Sequence, residues 1–160
     1  MNEQEALHKA AAYCSAAERC ISEVEEKLIK WEQDKKASER IVQHLIKEKF
    51  IDENRYCKSF VCDKLRFNKW GKIKITCMLQ QKKIPSDIIS SAFRQIDEEE
   101  YNNILVELLK EKRKHIKSKT KYEEQIKLSR FGASKGFSFE EIQNTLKIIL
   151  TSDYDSIESR

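Results

Sequence analysis

The sequence predicts an all-α protein, a tandem array of three three-helix repeats, elongated and curved. Three observations lead there. Strong helix formers dominate a chain that has one proline and three glycines in 160 residues, so the usual punctuation of turns is nearly absent. Apolar residues recur at three- and four-residue spacings along almost the whole length. A period is also present: Val24, Ile75 and Ile126 stand 51 residues apart. Around each of them the order is a short helix, a basic or polar turn and a helix led by an isoleucine, namely Ile41, Ile88 or Ile89, and Ile142. The expected repeats are residues 1–51, 52–97 and 98–150, followed by a polar, frayed tail at 151–160. Units this small bury little apolar area alone, so they gain stability by packing in line and present broad surfaces without a deep pocket.

Each element has a local reason. Leu7, Ala11, Cys14 and Ala17 define a first helix from about Gln4 to Cys20. Ser22 and Glu25 have capping-box spacing, and Val24, Leu28 and Trp31 continue as a second helix. Ser38 is placed to cap a third helix, with Ile41, Val42, Leu45 and Ile46 inward; Asp52 is placed to cap a fourth, with Tyr56, Phe60, Val61 and Leu65. Trp70 and Gly71 interrupt it. A fifth helix buries Ile75, Met78 and Leu79, and Pro85 is tolerated at the start of a sixth with Ile88, Ile89, Ala92, Phe93 and Ile96. The acids of Asp97 to Glu100 suit the positive end of a seventh helix, and lysines crowd its far end. Thr120 starts an eighth with Tyr122, Ile126 and Phe131, stopped near Gly136. Ser138 starts a ninth with Phe139, Ile142, Leu146 and Ile149.

Composition bounds the function. Hydrophobic residues make up 39% and charged residues 36%, which supports a folded but modest core. No run reaches the ~18 apolar residues of a membrane span, and the N-terminus lacks the basic-then-apolar order of a secretory signal. A cytoplasmic protein without membrane contact is expected. Five cysteines, Cys14, Cys20, Cys57, Cys62 and Cys77, match neither a disulfide framework nor a zinc spacing and read as small core residues. His8, His44 and His115 stand apart from one another. No phosphate loop, zinc-protease pair or nucleophile elbow occurs, so no catalytic residue, metal or cofactor is expected.

The net charge of +4 conceals two basic islands. Residues 58–83 carry eight cations and a single acid, and residues 110–121 carry seven cations and a single acid. In the first, Lys64, Arg66, Lys69, Lys72 and Lys74 are expected on a wet face around a bend anchored by Phe67, Trp70 and Gly71, with outward backbone amides able to hold phosphate or an acidic patch. In the second, Lys112, Arg113 and Lys114 are the expected contacts.

The stretches FIDENRY, FVCDKLRFNKWGKIKI, LQQKKI and IDEEEY, within Phe50 to Tyr101, resemble the middle of the RecX family, bacterial regulators of the recombinase RecA, in particular the form found in the Bacteroidetes. YCSAAERC and SEVEEKLIKW near the start and KGFSFEEI near the end extend the likeness over nearly the whole chain. The resemblance implies three-helix repeats and a non-enzymatic protein that binds in the groove of the RecA filament on single-stranded DNA; a monomer is expected. It further implies suppression of filament growth, ATP hydrolysis, strand exchange and coprotease action. Glu32 and Lys83 stand where relatives tend to carry glycine, which implies looser turns there. The other reading of the residues is a direct DNA-binding module of helix-turn-helix type, touching single- or double-stranded DNA.

Overall fold

The structure, a computed structural model, describes the backbone of residues 1–158 and the side chains as far as Thr151. Among the described residues there are nine helices and no strand: α1 (Glu3–Ala16), α2 (Ile21–Lys30), α3 (Lys35–Lys47), α4 (Glu53–Arg66), α5 (Lys72–Gln81), α6 (Ser86–Arg94), α7 (Glu98–His115), α8 (Lys121–Ser134) and α9 (Phe139–Glu158). The last helix therefore runs on through most of the segment expected to fray. The chain divides into two compact units, Met1–Val61 with Met78–Arg94, and Cys62–Cys77 with Gln95–Arg160. No described helix is long and apolar enough to cross a membrane.

In the first unit α1, α2 and α3 pack on one another around Ala6, Ala10, Cys14, Val24, Leu28, Ile41, Leu45 and Ile51. The small residues of α1 sit at four-residue spacing, so they let the other two helices approach closely. In the second unit α7, α8 and α9 pack on one another around Leu105, Leu109, Leu128, Ile142 and Leu146, and Leu65, Ile75 and Phe137 are buried as well.

Helix starts follow capping chemistry. Asp52, Asp97 and Thr120 each accept the amide three residues on, at 3.1, 3.2 and 3.1 Å. Ser138 and Glu141 form a reciprocal box, with bonds of 3.1 and 2.8 Å. Two caps differ from expectation. The free amide at the start of α2 belongs to Cys20 and is met by Glu23 at 3.1 Å, which leaves Ser22 inside the first turn. Asp34 caps α3 ahead of Ser38, accepting from the Ala37 amide at 2.8 Å. The first helix also stops early, at Ala16, because Arg19 turns back to donate to the Tyr13 carbonyl at 3.1 Å and covers the Tyr13 ring at 4.0 Å.

Helix ends repeat one device. After α2, α3, α5 and α8 a residue enters the left-handed region, and the next amide bonds five residues back: Gln33 to Leu28, Phe50 to Leu45, Ile84 to Leu79 and Phe137 to Gly132. The left-handed residues are Glu32 (φ 57°), Lys49 (62°), Lys83 (61°) and Gly136 (97°). Glu32 and Lys83, the two departures from glycine, thus keep the same closed turn as Gly136, under strain that glycine would not feel.

Four apolar expectations are corrected. Phe67 is 81% exposed: the inward stripe of α4 is Val61 and Leu65, and a residue two places past Leu65 lies about 200° around the axis. Tyr122 is 74% exposed, since the buried face of α8 is set by Leu128 and Gly132. Phe139 is 77% exposed at the first position of α9, and Phe137 in the preceding turn fills the core instead, its ring 5.5 Å from that of Tyr101. Ile46 is pushed to the edge of α3, which buries Ile41, Val42 and Leu45.

Replacing Glu32, Lys49 or Lys83 by glycine is expected to raise stability by about 0.5–1 kcal/mol each, the left-handed penalty less the entropy that glycine loses on folding. Urea unfolding measures it. Cys77 is exposed, whereas burial raises the thiol pKa of Cys14 and Cys20 and pushes Cys57 up to about 11. A thiol reagent at neutral pH should therefore modify Cys77 at once and those three only on unfolding.

Candidate docking and anion-binding surface

The first basic island surrounds the connection from α4 to α5. Lys69 sits there in the left-handed region with φ 58°, and the Trp70 amide reaches back to the Lys64 carbonyl at 3.1 Å. The chain then meets the turn between α8 and α9. The Gly71 amide donates to the Lys135 carbonyl at 2.7 Å and the Ile73 amide to the Gly136 carbonyl at 3.0 Å. Between them, the Lys72 amide donates to the Tyr101 hydroxyl at 3.0 Å.

This arrangement corrects one expectation directly. The amides at the start of a helix are its anion-binding groups, and here those of residues 71–73 are all bonded within the protein. The bend does not offer them to phosphate. Gly71 is required on geometric grounds, since a Cβ there would lie 2.4 Å from the Gly136 oxygen, and one on Gly136 would lie 2.3 Å from Lys74 Cβ. Tyr101 is buried beneath the junction, and desolvation moves its hydroxyl pKa well up, keeping the group neutral.

The cations of this island are largely engaged. Lys64 and Lys74 lie over the half-buried Trp70 ring at 5.0 and 4.4 Å, and Lys72 lies over Tyr101 at 4.4 Å. Arg66 grips Glu100 through two contacts of 2.8 and 3.4 Å, which raises the guanidinium pKa and lowers that of the carboxyl. Both partners are well exposed, so the pair adds little stability. What faces solvent is Lys69, which has no ion pair among the described residues, together with the bare ring of Phe67 and the half-open side chain of Ile73. An exposed aromatic ring, an aliphatic side chain and a cation thus fall within seven residues of one another.

The second island splits in two. Arg113 pairs with Glu124 at 3.0 Å with both side chains about three-quarters covered, which ties α7 to α8. Lys114 shares Glu111 with His115 at 3.4 and 3.3 Å, exposed. Lys112 instead lies over the Phe131 ring at 4.7 Å, and Lys135 approaches the same ring at 5.8 Å. Together with Lys117 and His115 it meets Lys127 and Arg130 of α8 along a trough of about 630 Å³. Lys127 and Arg130 escaped the sequence reading because residues 122–160 are net acidic as a block. Their three-residue spacing on one helix face is the signal that reveals them.

Comparisons with known proteins agree with this architecture. The family model described as "RecX, second three-helix domain" matches residues 52–92, and that described as "RecX, third three-helix domain" matches residues 98–146. "Regulatory protein RecX" of Clostridium tetani is 31% identical over 82% of this chain and 61% of its own length. The protein of the same name from Clostridium acetobutylicum is 30% identical over 92% of this chain and 70% of its own. The chain spans about three-fifths of the length of the first of these. The crystal structure of RecX from Lactobacillus salivarius superposes with a TM-score of 0.83 at 22% identity, covering 91% of this chain and 94% of that one.

Phe67→Ala should leave the unfolding free energy within about 0.5 kcal/mol of the parent, as for an exposed side chain. Trp70→Ala should lower it by roughly 1–2 kcal/mol, less than a fully buried ring. Thermal denaturation distinguishes the two.

Proposed function

Because the chain belongs to the RecX family of regulatory proteins, we propose that it is a non-enzymatic regulator that binds the RecA filament on single-stranded DNA and restrains its activity. The observation that carries this reading is the α4–α5 connection. It lies inside the matched second three-helix domain and presents Phe67, Lys69 and Ile73 outward on a backbone fixed by three hydrogen bonds. A rigid scaffold carrying an exposed aromatic and a cation suits recognition of an acidic protein surface, with the ring as anchor and the charge setting register and on-rate. Among the described residues no three His, Cys, Asp or Glu side chains cluster to hold a metal. The protein acts as a cytoplasmic monomer in this reading.

RecA-dependent ATP hydrolysis on single-stranded DNA is the test. Addition of this protein should slow it, and no change at several-fold excess would refute the proposal. Phe67→Ala combined with Lys69→Glu should raise the concentration needed for half-maximal effect at least tenfold with an unaltered melting temperature.

A further inference from the structure

We propose that Tyr101 is a positioning residue for the exposed connection between α4 and α5: its buried hydroxyl orients the start of α5, and through it α7 sets how Phe67, Lys69 and Ile73 meet a partner. The identity of that partner rests on the filament reading, whereas the hold itself rests on the geometry alone.

The connection, residues 67–71, is tied to α7 at both ends. Arg66 closes α4 and pairs with Glu100 at 2.8 Å, and Lys72 opens α5 and gives its amide to Tyr101 at 3.0 Å. Glu100 and Tyr101 are consecutive residues in the first turn of α7. The two ties differ in firmness. Arg66 and Glu100 are well exposed, and water and salt weaken such a pair. Tyr101 is 3% exposed with its ring packed on Phe137, so its bond lies where water does not compete.

The neighbouring bonds do not make this one redundant. The Gly71 and Ile73 amides both end on the turn after α8, at the adjoining carbonyls of Lys135 and Gly136. A segment held at two adjoining points can still rock about the line between them. A third attachment on a different helix removes that freedom, and the Tyr101 hydroxyl supplies it. A ring and a cation already held in place lose less freedom when they bind.

The hydroxyl is also held in its own orientation. It donates one hydrogen and has lone pairs left to accept with. Glu141 draws that hydrogen, itself fixed by accepting the Ser138 amide at 2.8 Å, which leaves the oxygen facing the Lys72 amide. The same unit occurs earlier in the chain. Tyr56 follows Asp52 by four residues as Tyr101 follows Asp97, is buried likewise, and lies against Glu23, which takes the free amide ahead of α2 as Glu141 takes that ahead of α9. At Tyr101 the hydroxyl also takes the amide of the exposed connection.

Tyr101→Phe tests the proposal, since it keeps the ring and removes only the hydroxyl. Amide exchange, followed by NMR on the intact chain, should quicken about tenfold or more at Lys72 and less at Gly71 and Ile73. The amides of Leu105 and Leu109, buried farther along α7, are the reference and should exchange as in the parent. In RecA-dependent ATP hydrolysis the concentration for half-maximal effect should rise about threefold or more. Added to Phe67→Ala with Lys69→Glu, the same change should shift it by less than about 1.5-fold, because the residues it positions are already gone.

Unchanged exchange at Lys72 overturns the proposal. So does equal quickening at Lys72, Leu105 and Leu109, which would make Tyr101 a core residue and nothing more; that comparison also decides the matter if the variant melts early. An equal loss of RecA effect in both backgrounds overturns it too, as does full effect despite faster exchange. If the parent chain leaves RecA untouched, the filament reading falls, and the exchange result decides this proposal by itself.

Discussion

At the start of α5 two stretches of backbone meet with no side chain between them. Gly71 and Gly136 touch closely enough that a single carbon on either would collide with the other strand of chain. The contact lets the amides of residues 71–73 find acceptors on the turn after α8 and on Tyr101. Unbonded and shielded from water, each such amide would cost about 1–3 kcal/mol, so the closeness of the glycines keeps this junction satisfied. Three other features follow from it. Phe137 is set in the core against Tyr101, Lys74 is brought over the Trp70 ring, and the connection from α4 is held in one conformation.

Seating α5 in this way decides which charges are available to a partner. Helix-start amides and lysines together look like a phosphate nest, yet here the amides are consumed internally and three of the lysines lie on aromatic faces. Ammonium groups over rings remain solvated while covering apolar surface. The first island is therefore less an anion site than its count of charges suggests. Around the second island the charges border one trough, and the Phe131 ring is shared by Lys112 and Lys135.

Much of this was legible in the residues. The all-α class, the order of helices and the caps at Asp52, Thr120 and Ser138 follow from spacing and side-chain chemistry, which act within four or five residues. The period was legible too, and its structural counterpart is the recurrence of left-handed caps at Glu32, Lys83 and Gly136. What escaped lay at the ends of helices or across long separations. Phe67, Tyr122 and Phe139 stand in first or last turns, where helical phase has few neighbours to fix it, and all three are exposed. Phe137 belongs to a turn and carries no phase at all. Arg19 ends α1 by curling back onto Tyr13, a bond that no periodicity announces. The use of the Gly71 amide was hidden because its acceptor, the Lys135 carbonyl, is distant in sequence.

That distance has a consequence for how the protein is made. Gly71 leaves the ribosome well before Gly136, with sixty-five positions of chain still to follow. During synthesis, at about 5–20 residues per second, the start of α5 spends several seconds with its amides turned to water and its resting place not yet translated. The hold on this junction is thus among the later events in the birth of the molecule, and a nascent chain halted before α8 would carry the connection in an unlatched form.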